Sequence, residues 1–317
     1  FRSCLLILID CQLDPQATEA VRLKLDLRFL PFLPHQQSDF FCQLGHRLLT
    51  VQQVQTAWKL NTALTTACGQ AGGGAGRRCS WRGCGRSAWQ ASGYYERMVM
   101  LQDLHQMLEH ISPDSAIHVC GHSMGSMLAT HYACLFPGHI KSLTMAEGFG
   151  MPVLEYTSEL QARAQRFIQT SAPNPVYALK SVADVAEKLQ RRTPNVNMAY
   201  AHYMAQALTH ESELGLTYHA DPKHHLPQAH PYDWHRIAPL WGNLHMPTLW
   251  IQGENLPHNH YLQRVNSLLP ERQAMLPNLH DIITLQNVGH MLQWEAPQAF
   301  AAALDKFLRQ VEAKSVQ

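Results

Sequence analysis

The chain has 317 residues, 46% hydrophobic and 15% charged, which is ample for one large α/β domain or for a domain carrying an insertion. Twenty-five Lys and Arg against 24 Asp and Glu leave a formal net charge of +1, so nothing draws the protein to nucleic acid or to an acidic surface. No apolar stretch is long enough to span a bilayer.

The opening FRSCLLILIDCQLD pairs a short apolar run with one arginine, but Asp10 and Asp14 follow at once and no small-residue cleavage site is evident. It reads as no signal peptide. Eight cysteines are scattered without a C-x-x-C pair, which predicts reduced thiols in a cytoplasmic protein. Residues 1–80 are atypical: LLILI and LRFLPFLP are apolar without a clear period. The glycine-rich ACGQAGGGAGRRCS (67–80) lacks a following G-K-[ST], so it is no phosphate loop.

From Trp81 onward strand and helix signals alternate. ERMVMLQDLHQMLEHI (96–111) carries apolar residues at helical spacing. AIHVCG (116–121) reads as a buried strand of the parallel kind, and MGSMLATHYACLF as a helix with small residues on one side. HIKSLTMAEG (139–148), PTLWIQG (247–253) and DIITLQNVG (281–289) read as further strands. APQAFAAALDKFLRQVEA (296–313) reads as a closing amphipathic helix. Between them, ELQARAQRFI, VADVAEKLQRR and NMAYAHYMAQAL read as helices, TYHADPKHHLPQAHPYDW as a proline-rich loop, and no strand is predicted. The pattern predicts an α/β fold with a mostly parallel sheet flanked by helices. Residues 1–150 and 241–317 form its core, and 151–240 a helical insertion over the sheet's carboxyl edge, where open α/β sheets bind ligands.

His224–His225 and His258/His260 lack helical spacing or partner cysteines, and read as solvated loop histidines rather than metal ligands. Trp241 and Trp294 read as packing residues. No metal and no cofactor is expected.

The chemistry concentrates at Gly121-His122-Ser123-Met124-Gly125, a G-x-S-x-G between a strand and a helix. A nucleophilic serine needs a sharp turn that lifts its hydroxyl clear of the backbone, and flanking glycines let that turn close. The helix that follows aims its N–H groups and positive dipole end at the same spot. A serine also needs a base. His290 stands after Gly289, between the last strand and the closing helix, in the order such sites use.

GHSMG, the late GHMLQWEAP and WRGCGRSAW (81–89) resemble the α/β-hydrolase superfamily. LTMAEGFGMP, ADPKHHLPQAHPY and PTLWIQGE resemble its serine-hydrolase-like members, near the haloalkane dehalogenases and small-ester hydrolases. The resemblance runs from about Trp81 to the C-terminus. It implies an eight-stranded, mostly parallel sheet with a helical cap, and hydrolysis of an ester or related acyl compound without a cofactor. A dehalogenase would carry aspartate where Ser123 stands. The resemblance offers two places for the acid that orients His290. Glu147, after the strand that follows the serine, is preferred to Glu254, one residue past the glycine of PTLWIQG. It also implies an oxyanion hole with one donor from the Met124 N–H. The second donor normally comes from a His-Gly loop, and the chain shows only Gly45-His46, in reversed order and after no clear strand. Two readings of residues 1–80 therefore stand: a diverged segment, or a mis-joined one that leaves the chain poorly stable. Two alternatives to the hydrolase also stand: a non-catalytic binding protein on the same fold, and an acyltransferase with the same triad. The substrate is expected to be a small molecule, and oligomeric state is left open.

Overall fold

The computed structural model describes residues 5–11, 23–26, 81–84, 87–90, 94–150, 158–170, 175–228, 233–255, 265 and 267–315. Among the described residues a six-stranded sheet runs in the order β2-β1-β3-β4-β7-β8. Its strands are β1 (Leu5–Cys11), β2 (Leu23–Asp26), β3 (Ile117–His122), β4 (Ile140–Ala146), β7 (Thr248–Gly253) and β8 (Leu279–Leu285). β3, β4, β7 and β8 are parallel, and β1 is antiparallel to both β2 and β3.

Parallel strands need crossovers, and the helices supply them: α1 (Arg97–Ile111) precedes β3, and α2 (Met124–Leu135) joins β3 to β4. Successive strand side chains point to opposite faces, and here each face has its own cover. Val119, Met145 and Trp250 pack with Leu101, Leu104, Leu128 and Tyr132 of α1 and α2. Their neighbours Cys120, Ala146, Leu249 and Ile251 pack with Phe300, Leu304, Phe307 and Val311 of the closing helix. Burial on both sides is why these strands read as continuous apolar runs.

Residues 158–225 leave the sheet. They hold α3 (Ser158–Gln169), α4 (Val182–Arg192), α5 (Met198–Leu208) and a two-stranded hairpin, β5 (Thr209–Ser212) with β6 (Gly215–Tyr218). Leu179, Val185, Leu189, Val196 and Met204 form their separate apolar cluster. After a short helix α6 (Trp234–Ile237) the chain returns to β7, then passes through α7 (Leu269–Ala274) to β8. α8 (Leu292–Glu295) and α9 (Pro297–Ser315) close it.

The structure corrects the sequence reading in two places. The hairpin stands where no strand was expected. Its strands of four residues are too short to show alternation, and Gly215, at φ +92°, makes the turn. The aperiodic LLILI lies within β1. Six strands of the sheet lie in the described residues, against the eight that the resemblance implied for the whole sheet. Residues 27–80, including Gly45-His46 and the whole glycine-rich stretch, lie outside the described residues, as do His258 and His260. Trp241 is buried in the core, and Trp294 packs against the 158–225 cluster. Among the described residues no helix is long and apolar enough to cross a membrane.

Leu128 is wholly buried between α1, α2 and the sheet. Leu128→Ala is expected to lower unfolding free energy by about 2–5 kcal/mol, read from the urea midpoint at constant slope.

Candidate active site

Ser123 is the single residue between β3 and α2, with φ 53° and ψ −121°. Side-chain-bearing residues avoid that region, at a cost on the order of 1–3 kcal/mol. Its neighbours hold it there. The Ser123 N–H donates to the Ala146 carbonyl at 2.8 Å, which ties the turn to the end of β4. Its own carbonyl accepts the Met127 N–H at 3.1 Å, the first bond of α2. Gly121 lets the helix close on the strand, since a Cβ there would lie 2.5 Å from the Gly125 carbonyl oxygen and the Ser126 Cα. Met124 opens α2, so its N–H is among those a helix leaves without an intrahelical acceptor, and it adjoins the serine.

Glu147 follows β4 directly and also has a positive φ, 51°. Its N–H donates to the Ile251 carbonyl at 3.1 Å, and its Oε1 accepts the Gly253 N–H at 2.7 Å, so both ends of the residue are fixed to β7. The side chain is buried, and Oε2 lies 3.1 Å from His290 Nδ1. His290 Nε2 lies 3.1 Å from Ser123 Oγ. A carboxylate only accepts, so Nδ1 carries the imidazole proton and Nε2 offers its lone pair to the serine hydroxyl. Ser123, His290 and Glu147 thus form one hydrogen-bonded line. Glu254 is not in it. Its Oε2 accepts the Asn287 N–H at 2.8 Å, which braces the turn after β8.

Four residues that the sequence reading did not single out hold the His290 loop. Glu295 accepts the N–H groups of Gly289 and Met291 at 3.0 and 3.2 Å. Asn195, from the turn between α4 and α5, donates to Glu295 at 3.0 Å and to the Asn287 carbonyl at 2.5 Å. His122, fully buried beside the serine, donates from Nε2 to the His290 carbonyl at 2.6 Å. Gln293 donates to His122 Nδ1 at 3.4 Å. The available signals were position alone: His122 is inside the G-x-S-x-G, and Glu295 lies in GHMLQWEAP.

His224 is not the solvated loop histidine expected. It stacks on Tyr95 at 3.8 Å, and its Nε2 lies 3.4 Å from Cys84 Sγ. Tyr95 in turn donates to buried Asp221 at 2.6 Å. Burial, then Asp221, pushes the Cys84 thiol up to about 11, so it stays protonated and unreactive.

A family model described as the alpha/beta hydrolase fold matches residues 79–297. No curated protein matches the chain. Among solved structures, the chain is similar to a thioesterase domain from the curacin biosynthetic pathway, at 22% identity and TM-score 0.58, over 70% of this chain and 78% of that one. It is similar to a hypothetical protein from Pseudomonas aeruginosa at 20% identity and TM-score 0.58, over 74% and 80%. It is also similar to an esterase from M. tuberculosis at 14% identity and TM-score 0.55, over 96% and 93%. At these identities the likeness establishes the fold.

Burial, with His290 beside it, lowers His122 from the ordinary 6.5 to about 3. The folded state therefore keeps this imidazole neutral. The stability that follows is complete above pH 6.5 and is lost as pH falls toward the folded value. Between pH 7 and pH 4.5 the native chain is expected to lose on the order of 2 kcal/mol more unfolding free energy than His122→Gln, measured by urea titration at each pH.

Proposed function

Because the chain belongs to the α/β-hydrolase fold family, we propose that it is a serine hydrolase acting on small ester or related acyl substrates. The observation that carries the proposal is the line Ser123 Oγ to His290 Nε2 to Glu147 Oε2, with both separations 3.1 Å. In this reading His290 takes the Ser123 proton as Oγ attacks the substrate carbonyl. The oxyanion of the tetrahedral intermediate is stabilised by the Met124 N–H and the positive end of α2. His290 then gives its proton to the leaving alcohol, and an acyl-enzyme remains on Ser123. Water, activated by the same histidine, attacks that ester and releases the acid. Glu147 keeps the imidazole in the tautomer that accepts the serine proton and stabilises its cation. No cofactor enters these steps. Residues 151–240 act as a helical cap on a core formed by 1–150 and 241–317. Asn195 would tie that cap to the catalytic loop. The free thiols Cys84, Cys120 and Cys134 agree with a reducing, cytoplasmic setting.

Hydrolysis of p-nitrophenyl butyrate tests the proposal. Ser123→Ala is expected to lower kcat/KM by roughly 10³-fold or more. Glu147→Gln is expected to lower kcat by about 10²-fold or more, and Glu254→Gln to stay within a few-fold of the native chain. A folded native chain with no turnover above Ser123→Ala would favour the non-catalytic reading, and equal losses in both glutamine variants would contradict the role of Glu147.

A further inference from the structure

A second group of chemistry-bearing side chains lies away from Ser123. α2 begins beside the serine, and the cluster sits near its far end, roughly 15 Å along the axis. His105 and Glu109 are one turn apart on α1, so they share a face. His139 lies in the turn after α2. One ligand atom from each of the three falls within 4.8 Å of the others. The His105 and His139 rings are near-parallel at 13°, and Phe136 stacks on both, with centroids 4.9 and 5.4 Å away. Both Nδ1 atoms point at one spot: each lies 2.9 Å from the Tyr132 hydroxyl. Glu109 Oε1 lies 3.7 Å from His139 Nδ1.

The hydrogen-bond count at that spot is informative. A phenol has one proton, so Tyr132 donates to one imidazole and accepts from the other. One Nδ1 lone pair therefore accepts the Tyr132 proton and the other Nδ1 donates to the phenol oxygen, so an ion bound to both nitrogens would replace these two hydrogen bonds, with one imidazole first moving its proton to Nε2. Neither step requires a charged imidazole.

We propose that His105, Glu109 and His139 bind a divalent transition-metal ion of the zinc type, with water completing the coordination. Two imidazole nitrogens and one carboxylate oxygen suit zinc and its first-row neighbours, and not calcium or magnesium, which take all-oxygen sets. Tetrahedral ligands about 2.0–2.1 Å from zinc stand roughly 3.3 Å apart, so the cluster must contract from its present spread. The Glu109 and His139 side chains are 47% and 39% exposed, so Glu109 can rotate inward and His139 can shift along its stack on Phe136. The ion would clamp α1 to the end of α2 on one face of the sheet. This site does not depend on the serine-hydrolase reading.

Zinc titration of the full chain by calorimetry, repeated with cobalt to read tetrahedral visible absorption, tests the site. Glu109→Gln and His139→Asn alter partly exposed side chains, and His290→Ala controls for binding at the serine site. One equivalent is expected in the native chain and in His290→Ala, weakened at least tenfold in Glu109→Gln and His139→Asn. Zinc is also expected to raise the thermal midpoint of the native chain and not that of His139→Asn. No binding by the native chain, unchanged binding in both cluster variants, or loss of binding in His290→Ala would overturn the proposal.

Discussion

The site depends on one backbone conformation. Ser123 sits at φ 53°, where a serine gains nothing locally, and it stays there because β3, β4 and α2 all hold it. The bond from its N–H to the Ala146 carbonyl fixes the turn to the neighbouring strand. The bond from Met127 to its carbonyl starts the helix. Gly121 removes the Cβ that would push the two apart. Strain of this kind persists only where the surrounding structure over-determines it.

The same logic extends along the sheet. Parallel register places Ala146 opposite Ile251, so Glu147 emerges beside the end of β7 and reaches the Gly253 N–H with one oxygen and His290 with the other. β8 pairs with β7 through Gly253–Leu285 and delivers the His290 loop to that same edge. The loop is then held by polar bonds. Glu295 takes two of its N–H groups, and His122 donates to the His290 carbonyl. Asn195 links this loop to the 158–225 region, so the two are mechanically connected.

Much of this was readable from the chain. The central strands stand out because both faces are buried, which leaves short apolar runs such as IHVCGH and TLWIQG between polar turns. The serine and the histidine were legible because glycine spacing and chain order restrict where they can stand. For the acid the sequence preferred Glu147 but left Glu254 open, since both follow strand ends and only the register between β4 and β7 separates them. That register places Glu147 against His290 and turns Glu254 toward Asn287. The β5–β6 hairpin escaped because four-residue strands carry too little pattern. Glu295, Asn195 and His122 escaped because hydrogen bonds between distant segments leave no periodic trace in sequence. The His105–Glu109–His139 cluster escaped for the same reason, as its third member comes from another element.

Mass spectrometry of the fluorophosphonate-treated chain tests the central claim most directly, because the probe reacts only with a serine whose hydroxyl is lifted and deprotonated by its neighbours. The account predicts one adduct per chain, mapped to the peptide containing Ser123 and absent in Ser123→Ala. A chain that unfolds cooperatively yet takes no adduct, or that takes it on another serine, would contradict it.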